Sequence, residues 1–336
     1  MNDVARLSGT SIKTVSRVVN DEPGVHRDTA DRVLSAIETL GFRRNLGARN
    51  LRRGSTTGTV GLIVEDVGNP FYSELNRAVE RIATSFDRHL LTGSSDEDPE
   101  RERELALEFC ARQVDGLLIV PAGMRHGYLM PETRAGTPVV FIDRPAGDVV
   151  ADTVLVDNVG GTAAAVAHLA AHGHRRIAFL GDDPDIFTAA ERLRGYREGC
   201  VAAGIAYDER LVSMCTPTEA SVADAVRTRL SGSDGHDGVA GAAGATAVIA
   251  GNNRVTVHVL RALAHARKRP ALVGFDDFEL ADLLDPPVTV IAHDVSALGR
   301  AAAELLFARI QGDTSAPKRA VLPVHLVARG SGEIAP

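Results

Sequence analysis

Two rhythms of apolar residues divide this chain. Up to about residue 44 the apolar positions fall in short runs at helical spacing: Val4 and Leu7, then Val15, Val18 and Val19, then Val33, Ile37 and Leu40. That spacing predicts three small helices packed on one another, the third over 27–40. From Thr59 the pattern changes to short β-branched runs alternating with longer amphipathic stretches: VGLIV, then 71–87; HLLT, then 99–112; DGLLIV; PVVFID. A second set follows from about Asp157, with IAFLG, a helix over 189–203, LVS, a helix over 221–230, AVIAG, a helix over 255–265, and ALVGFDD. Such alternation predicts parallel sheets covered by helices, here as two doubly wound lobes in tandem. Ligands of such sheets lie beyond the strand C-termini, so the lobes should face each other across a cleft. VTVIAHD, a helix over 296–310 and AVLPVHLV should return to complete both lobes, placing crossovers near 157, 292 and 323. A multi-strand crossover of this kind is a hinge.

Between the two patterns lies FRRNLGARNLRRGS, residues 42–55, in which Asn45 can cap a short helix over 46–53. A helix under about 12 residues is marginal in water, and Gly47 weakens this one by about a further 1 kcal/mol relative to Ala. It should order only when something holds it. Residues 231–246, rich in Gly, Ala, Ser and Asp, carry no apolar period and predict a flexible surface insertion.

Within the N-terminal segment, GTSIKTVSRVVN (9–20) has the form of a turn and second helix of a helix-turn-helix. Gly9 closes one helix and Ser11 caps the next. With Val15, Val18 and Val19 turned inward, Ile12, Lys13, Ser16 and Arg17 form the outer face. Long donors then stand near the helix N-terminus, where a recognition helix meets base edges in a major groove. Charge supports this placement. The net charge is −7, but residues 1–54 hold ten Lys/Arg against six Asp/Glu, +4, and the remainder holds 27 against 38, −11. A basic head on an acidic body suits a DNA-binding domain joined to a soluble sensor.

GTSIKTVSRVVN resembles the N-terminal signature of the lactose-repressor/galactose-repressor (LacI/GalR) family of bacterial transcription regulators, and further matches recur in family order down the chain. The resemblance implies an all-α helix-turn-helix headpiece over 1–44, a hinge helix and linker over 45–57, and a two-lobed, periplasmic-binding-protein-like α/β effector and dimerisation domain over 58–336. It places Ile12, Lys13 and Arg17 at base-reading positions and Ser11, Thr14, Ser16, Asn20 and Thr29 at phosphate contacts. It also makes Leu51, with Ala48 beside it, the hinge residue that wedges into the minor groove. Arg44 stands where the family usually has Pro, and Gly47 where a better helix former is common, both implying a looser hinge.

In the cleft, Asn69-Pro70-Phe71-Tyr72 follows the first strand, and the family covers its ligand with the two residues after that proline. TAAERLRGY (188–196) resembles the family's RLxGY run, with Arg192 as the arginine that grips effector and Thr188 beside it. Asp276 in GFDD matches the acceptor for effector hydroxyls, and Asn252 in AGNN a frequent contact, although Asn253 replaces the customary Asp. Pro217 stands where an aromatic residue is common, which disfavours a nucleobase and favours a sugar or related polyol.

His168, His172 and His174 invite a metal reading, but HLAAHGHRRI resembles a structural turn of the family and has no carboxylate or thiol at ligand spacing. Cys110, Cys200 and Cys215 are too few and scattered for a disulfide framework or a zinc site. No phosphate-binding loop, GxSxG elbow or HExxH is present, so neither cofactor nor enzymatic turnover is expected. MNDVARLSG lacks the apolar segment of a signal peptide, and no run approaches a membrane span, so the expected compartment is the cytoplasm. The expectation is a homodimeric repressor that binds a pseudo-palindromic operator and answers to a sugar-like effector. The alternative is a sugar-binding protein of a transport system, which would leave residues 1–54 unexplained.

Overall fold

The structure, a computed structural model, describes residues 1–19, 22–41, 57–231, 244–266 and 269–336. It comprises two compact units, Met1–Thr57 and Gly58–Pro336. Asn20, Ala48 and Leu51, most of the expected hinge segment, and residues 232–243 of the expected insertion lie outside the described residues.

The first unit holds α1 (Asn2–Ser8), α2 (Ile12–Val19) and α3 (Arg27–Thr39). Helices this short gain their stability from packing and not from propensity. Val4, Ala5, Val15, Val33 and Ala36 form the core, with Val18, Val19 and Ile37 packed against it. Two expected core residues are not in it: Leu7 is 53% exposed and Leu40 45%. In α1 the buried stripe runs through Val4, Ala5 and Ser8, and Leu7 falls to one side of it. Leu40 is already the C-cap of α3, one residue past the last full turn.

The second unit contains two six-stranded sheets. The N-terminal lobe has the strand order β11-β5-β4-β3-β1-β2, from β1 (Thr59–Val64), β2 (His89–Ser94), β3 (Leu117–Ile119), β4 (Val139–Ile142), β5 (Asp152–Val156) and β11 (Arg319–Leu322), all parallel. The C-terminal lobe has the order β12-β10-β9-β8-β6-β7, from β6 (Ile177–Gly181), β7 (Val212–Met214), β8 (Ala247–Ala250), β9 (Ala271–Phe275), β10 (Thr289–Ala292) and β12 (His325–Val327), with β12 antiparallel to β10. The central strands are buried along their whole length, because helices cover both faces.

On one face of the first sheet α4 (Pro70–Ser85) packs beside α11 (Val295–Ile310), sharing Tyr72, Leu75, Val79, Leu298 and Leu306 in one core. The other face carries α5 (Pro99–Ala111), through Ala106 and Phe109, and the short α6 (Met130–Ala135) lies beyond it in sequence. The second sheet is covered by α7 (Asn158–Ala171) and α8 (Phe187–Ala202) on one face and by α9 (Glu219–Ser231) and α10 (Asn253–Leu263) on the other.

The chain passes between lobes after β5, after β10 and between β11 and β12. Pro323 separates those last two strands, so AVLPVHLV is two strands of two sheets and not one. The apolar pattern predicts neither strand β5 nor helix α6; DTVLV is short and opens on Asp152, which Arg309 pairs at 2.7 Å. The far end of the expected insertion is anchored: Thr246 Oγ1 lies 2.8 Å from His174 Nδ1, and Ala245 is buried.

Candidate nucleic-acid interface and ligand cleft

In the headpiece, Gly9 takes a left-handed conformation (φ 62°) that ends α1 and turns the chain. Ser11 Oγ then accepts the Thr14 N–H at 3.1 Å, capping α2, and sits 2.9 Å from Thr14 Oγ1. With Val15 fully buried, the opposite face of α2 is fixed: Ile12 is 52% exposed, and Lys13, Arg17 and Ser11 are exposed beside it. Thr14, Ser16 and, at the start of α3, Thr29 are half-buried. The face carries two long cations and several hydroxyls, the chemistry that meets base edges and phosphates.

The cleft in the second unit is built from strand ends. Asp143 follows β4 and Asp276 follows β9, both in the left-handed region at φ 65°. In each case the backbone N–H still bonds to the neighbouring strand, Asp143 to Val154 O at 2.8 Å and Asp276 to Ile291 O at 2.9 Å. Each sheet therefore ends on a buried carboxyl group that lines the chamber between the lobes.

Arg192 comes from α8 and is 5% exposed. Its Nε donates to Asn158 Oδ1 at 2.7 Å, and its terminal nitrogens donate to Gly251 O at 2.7 Å and to Asp276 at 3.1 and 3.4 Å. The guanidinium lies 3.8 Å from the centroid of the Phe275 ring. Three residues further along α8, a Cβ on Gly195 would come within 2.3 Å of Val159 O, and Tyr196 donates to Ile177 O at 2.8 Å. The run RLRGY thus divides its labour: the arginine faces the cleft, the glycine lets α7 approach α8, and the tyrosine anchors the helix to β6.

All six residues singled out from sequence for the cleft, Phe71, Tyr72, Thr188, Arg192, Asn252 and Asp276, line one chamber. Phe71 is half-buried and meets Tyr72 and His293 edge-on, at centroid distances of 4.8 and 5.7 Å. Tyr72 is more a core residue than an exposed platform, being 3% exposed, with its hydroxyl against Glu65. Asn252 caps α10, accepting the Val255 N–H at 2.8 Å, and donates to Asp182 at 2.8 Å.

Sequence reasoning missed Glu65, Glu97, Asp143, Arg144, Asp182 and Arg254 in the same lining. Three of them could have been found, since Glu65, Asp143 and Asp182 directly follow strands β1, β4 and β6. Arg144 is gripped by Glu97 at 2.6 and 2.5 Å and donates to Pro121 O at 2.8 Å. Burial, reinforced by Glu97 and opposed by Arg254 and Arg144, raises Glu65 to about 7. Burial likewise pushes Asp143 and Asp182 above the ordinary carboxylate range.

Polar contacts also cross the cleft. Arg254 at the start of α10 reaches Glu65 and Asp66 of the opposite lobe, both at 2.7 Å, and Asn253 donates to Asn69 Oδ1 at 2.8 Å. So Asn253 is a bridge between the lobes through its amide N–H, a donor that a carboxylate lacks. The lobes are drawn together: the inner chamber measures about 40 Å³ and opens toward an outer compartment of about 550 Å³.

The histidines do structural work. His168 contacts Glu333 at 2.6 Å, His172 lies 2.9 Å from His168 O, and His174 is held between Thr246 and Ile334 O, each at 2.8 Å. Among the described residues no group of three or more His, Cys, Asp or Glu could hold a metal ion, and no helix is long and apolar enough to cross a membrane. The three cysteines are free thiols, Cys200 buried and the other two half-buried.

Residues 1–45 match the bacterial regulatory proteins, lacI family, and residues 166–332 match a periplasmic binding protein-like domain. The HTH-type transcriptional regulator CelR of Thermobifida fusca is 36% identical over 98% of this chain and 97% of its own length. A solved structure of the transcriptional regulator CelR in complex with cellobiose superposes with a TM-score of 0.70, at 32% identity and 98% coverage of both chains. The lac repressor dimer bound to operator and an anti-inducer, at 23% identity, shares the fold, with a TM-score of 0.80 over 98% of both chains. A helix-turn-helix with an outward cationic face, a two-lobed cleft built from strand ends and whole-length relatives of this kind agree: the chain belongs to the lacI family of bacterial regulatory proteins, DNA-binding transcriptional regulators.

Proposed function

We propose that this regulator is a homodimeric repressor whose hold on a pseudo-palindromic operator is set by a sugar-like effector in the interlobe cleft. Residues 1–44 are the DNA-binding head, 45–57 the hinge and 58–336 the effector and dimerisation domain. Ile12, Lys13 and Arg17 read bases; Ser11, Thr14, Ser16, Asn20 and Thr29 meet phosphates; Ala48 and Leu51 act in the minor groove. Phe71, Tyr72, Thr188, Arg192, Asn252 and Asp276 contact the effector.

The observation that carries the effector reading is the Arg192–Asp276 pair. It is buried, cross-braced by Asn158 and Gly251, and set in a chamber walled by both lobes. A fixed fork of donors beside a carboxylate acceptor suits vicinal hydroxyls, which both donate and accept. Small-molecule sites hold roughly 300–1,000 Å³. A chamber of about 40 Å³ admits a sugar ring only when the lobes part, so ligand occupancy and interlobe angle are coupled. That coupling is the physical basis of effector control. The binding of cellobiose by the related CelR directs the first trials to neutral disaccharides. The same reading makes the protein a cytoplasmic binding protein and not an enzyme, so candidate sugars should be recovered unchanged after incubation.

The test is selection of bound DNA from a random pool, followed by a screen of sugars for operator release. Arg17→Ala should lower discrimination at one position of each half-site by about 1–3 kcal/mol. An absence of sequence preference at low salt would end the repressor reading. Operator binding that no sugar alters would end the effector assignment alone.

A further inference from the structure

Among the described residues, every arginine lining the cleft is paired with a carboxylate, although the Arg144 Nε–H is left without an acceptor. Arg144 is held by Glu97, Arg192 by Asp276, and Arg254 by Glu65 and Asp66. Carboxyl groups remain in excess. Asp143 is 4% exposed, lines the chamber, and its Oδ1 is buried with no hydrogen-bond partner. Asp182 is met by the Asn252 amide and the Asp183 N–H and, among the described residues, forms no ion pair, Arg144 acting on it only at a distance. Among the described residues that line the outer compartment, seven are Asp or Glu and one, Arg254, is basic.

We propose that this cleft discriminates by charge, admitting uncharged polyhydroxyl ligands and excluding anionic ones, with Asp143 and Asp182 imposing the discrimination. The inference rests on the sugar-effector reading above and specifies its ligand class. A hydroxyl group donates to the unpartnered Asp143 oxygen and leaves the existing ion pairs intact. A carboxylate or phosphate instead brings its charge to a narrow cleft of low dielectric whose arginines are already paired with carboxylates, so it meets like charge. Like-charge juxtaposition of this kind costs several kcal/mol, about 100-fold or more in affinity. Sugar phosphates and uronic acids are therefore rejected even where the neutral parent fits.

The experiment is calorimetric titration of the full-length protein with neutral mono- and disaccharides, cellobiose among them. Each is paired with its C6 uronic acid and its C6 phosphate at pH 7.5 and 0.1 M salt. A neutral sugar should bind, and its anionic counterparts should bind at least about 100-fold more weakly. Asp143→Asn and Asp182→Asn should each narrow that ratio about tenfold, with one of the two like charges removed. Asn also tolerates the positive φ at 143. An anionic member that binds as tightly as its neutral parent overturns the proposal while leaving the sugar reading in place. So does an unchanged ratio in an Asn variant that melts like the wild type. If no carbohydrate binds in either form, the effector reading fails and the proposal falls with it.

Discussion

Arg254→Ala tests whether the ion pairs across the cleft set its closure. Arg254 belongs to the C-terminal lobe and its partners Glu65 and Asp66 to the N-terminal lobe, each at 2.7 Å. The side chains are 42%, 14% and 35% exposed, so two pairs at a partly screened surface are lost. Exposed pairs contribute roughly 0.2–1 kcal/mol each. The less exposed Glu65 partner places that pair near the top of the range, giving roughly 1–2 kcal/mol of closing free energy. The open-to-closed ratio should rise about 5- to 30-fold. Because the chamber admits a sugar only when the lobes part, apparent effector affinity should rise by at most the same factor. Arg254 also lines the cleft, so affinity alone is ambiguous. Small-angle scattering before effector addition resolves this, since the variant should be more expanded only if closure is affected. Raising salt from 0.1 to 1 M should move the wild type in the same direction and the variant much less. Identical scattering of the two proteins at low salt would refute the reasoning.

Three further outcomes follow from the same geometry. Glu65 is raised to about 7 from its ordinary value of 4.5, so the folded state binds more protons than the unfolded one between those values, and stability falls as pH rises through that window; Glu65→Gln should flatten the melting profile between about pH 4.5 and 7, and an unchanged slope would contradict the assignment. Arg192→Met should leave Asp276 buried without its cation, at about 3–5 kcal/mol by chemical denaturation, and should abolish effector response while operator binding persists; a variant still released by effector would remove Arg192 from the site. Gly195→Ala should cost about 1–3 kcal/mol, because the new Cβ meets Val159 O at 2.3 Å; a variant as stable as wild type would mean that α7 and α8 do not pack as described.

The sequence by itself determined what depends on local chemistry. Helical spacing around Val15, the glycine at position 9 and the cap at Ser11 suffice to place α2 and turn Lys13 and Arg17 outward. Alternating β-branched and amphipathic runs suffice for two parallel sheets with helices on both faces. The resemblance that RLRGY and GFDD carry to runs of the family points to Arg192 and Asp276. Only the tertiary structure decided what depends on residues distant in the chain. Leu7 lies outside the headpiece core because three helices choose their contact stripe together, and DTVLV becomes a strand because β4 and β11 flank it. Glu65, Asp143, Asp182 and Arg254 are ordinary charged residues until the two lobes face each other. Spacing along a chain records which way a side chain points from its own element, whereas the surplus of carboxyl groups between the lobes arises only when strand ends more than a hundred residues apart come to share one cleft.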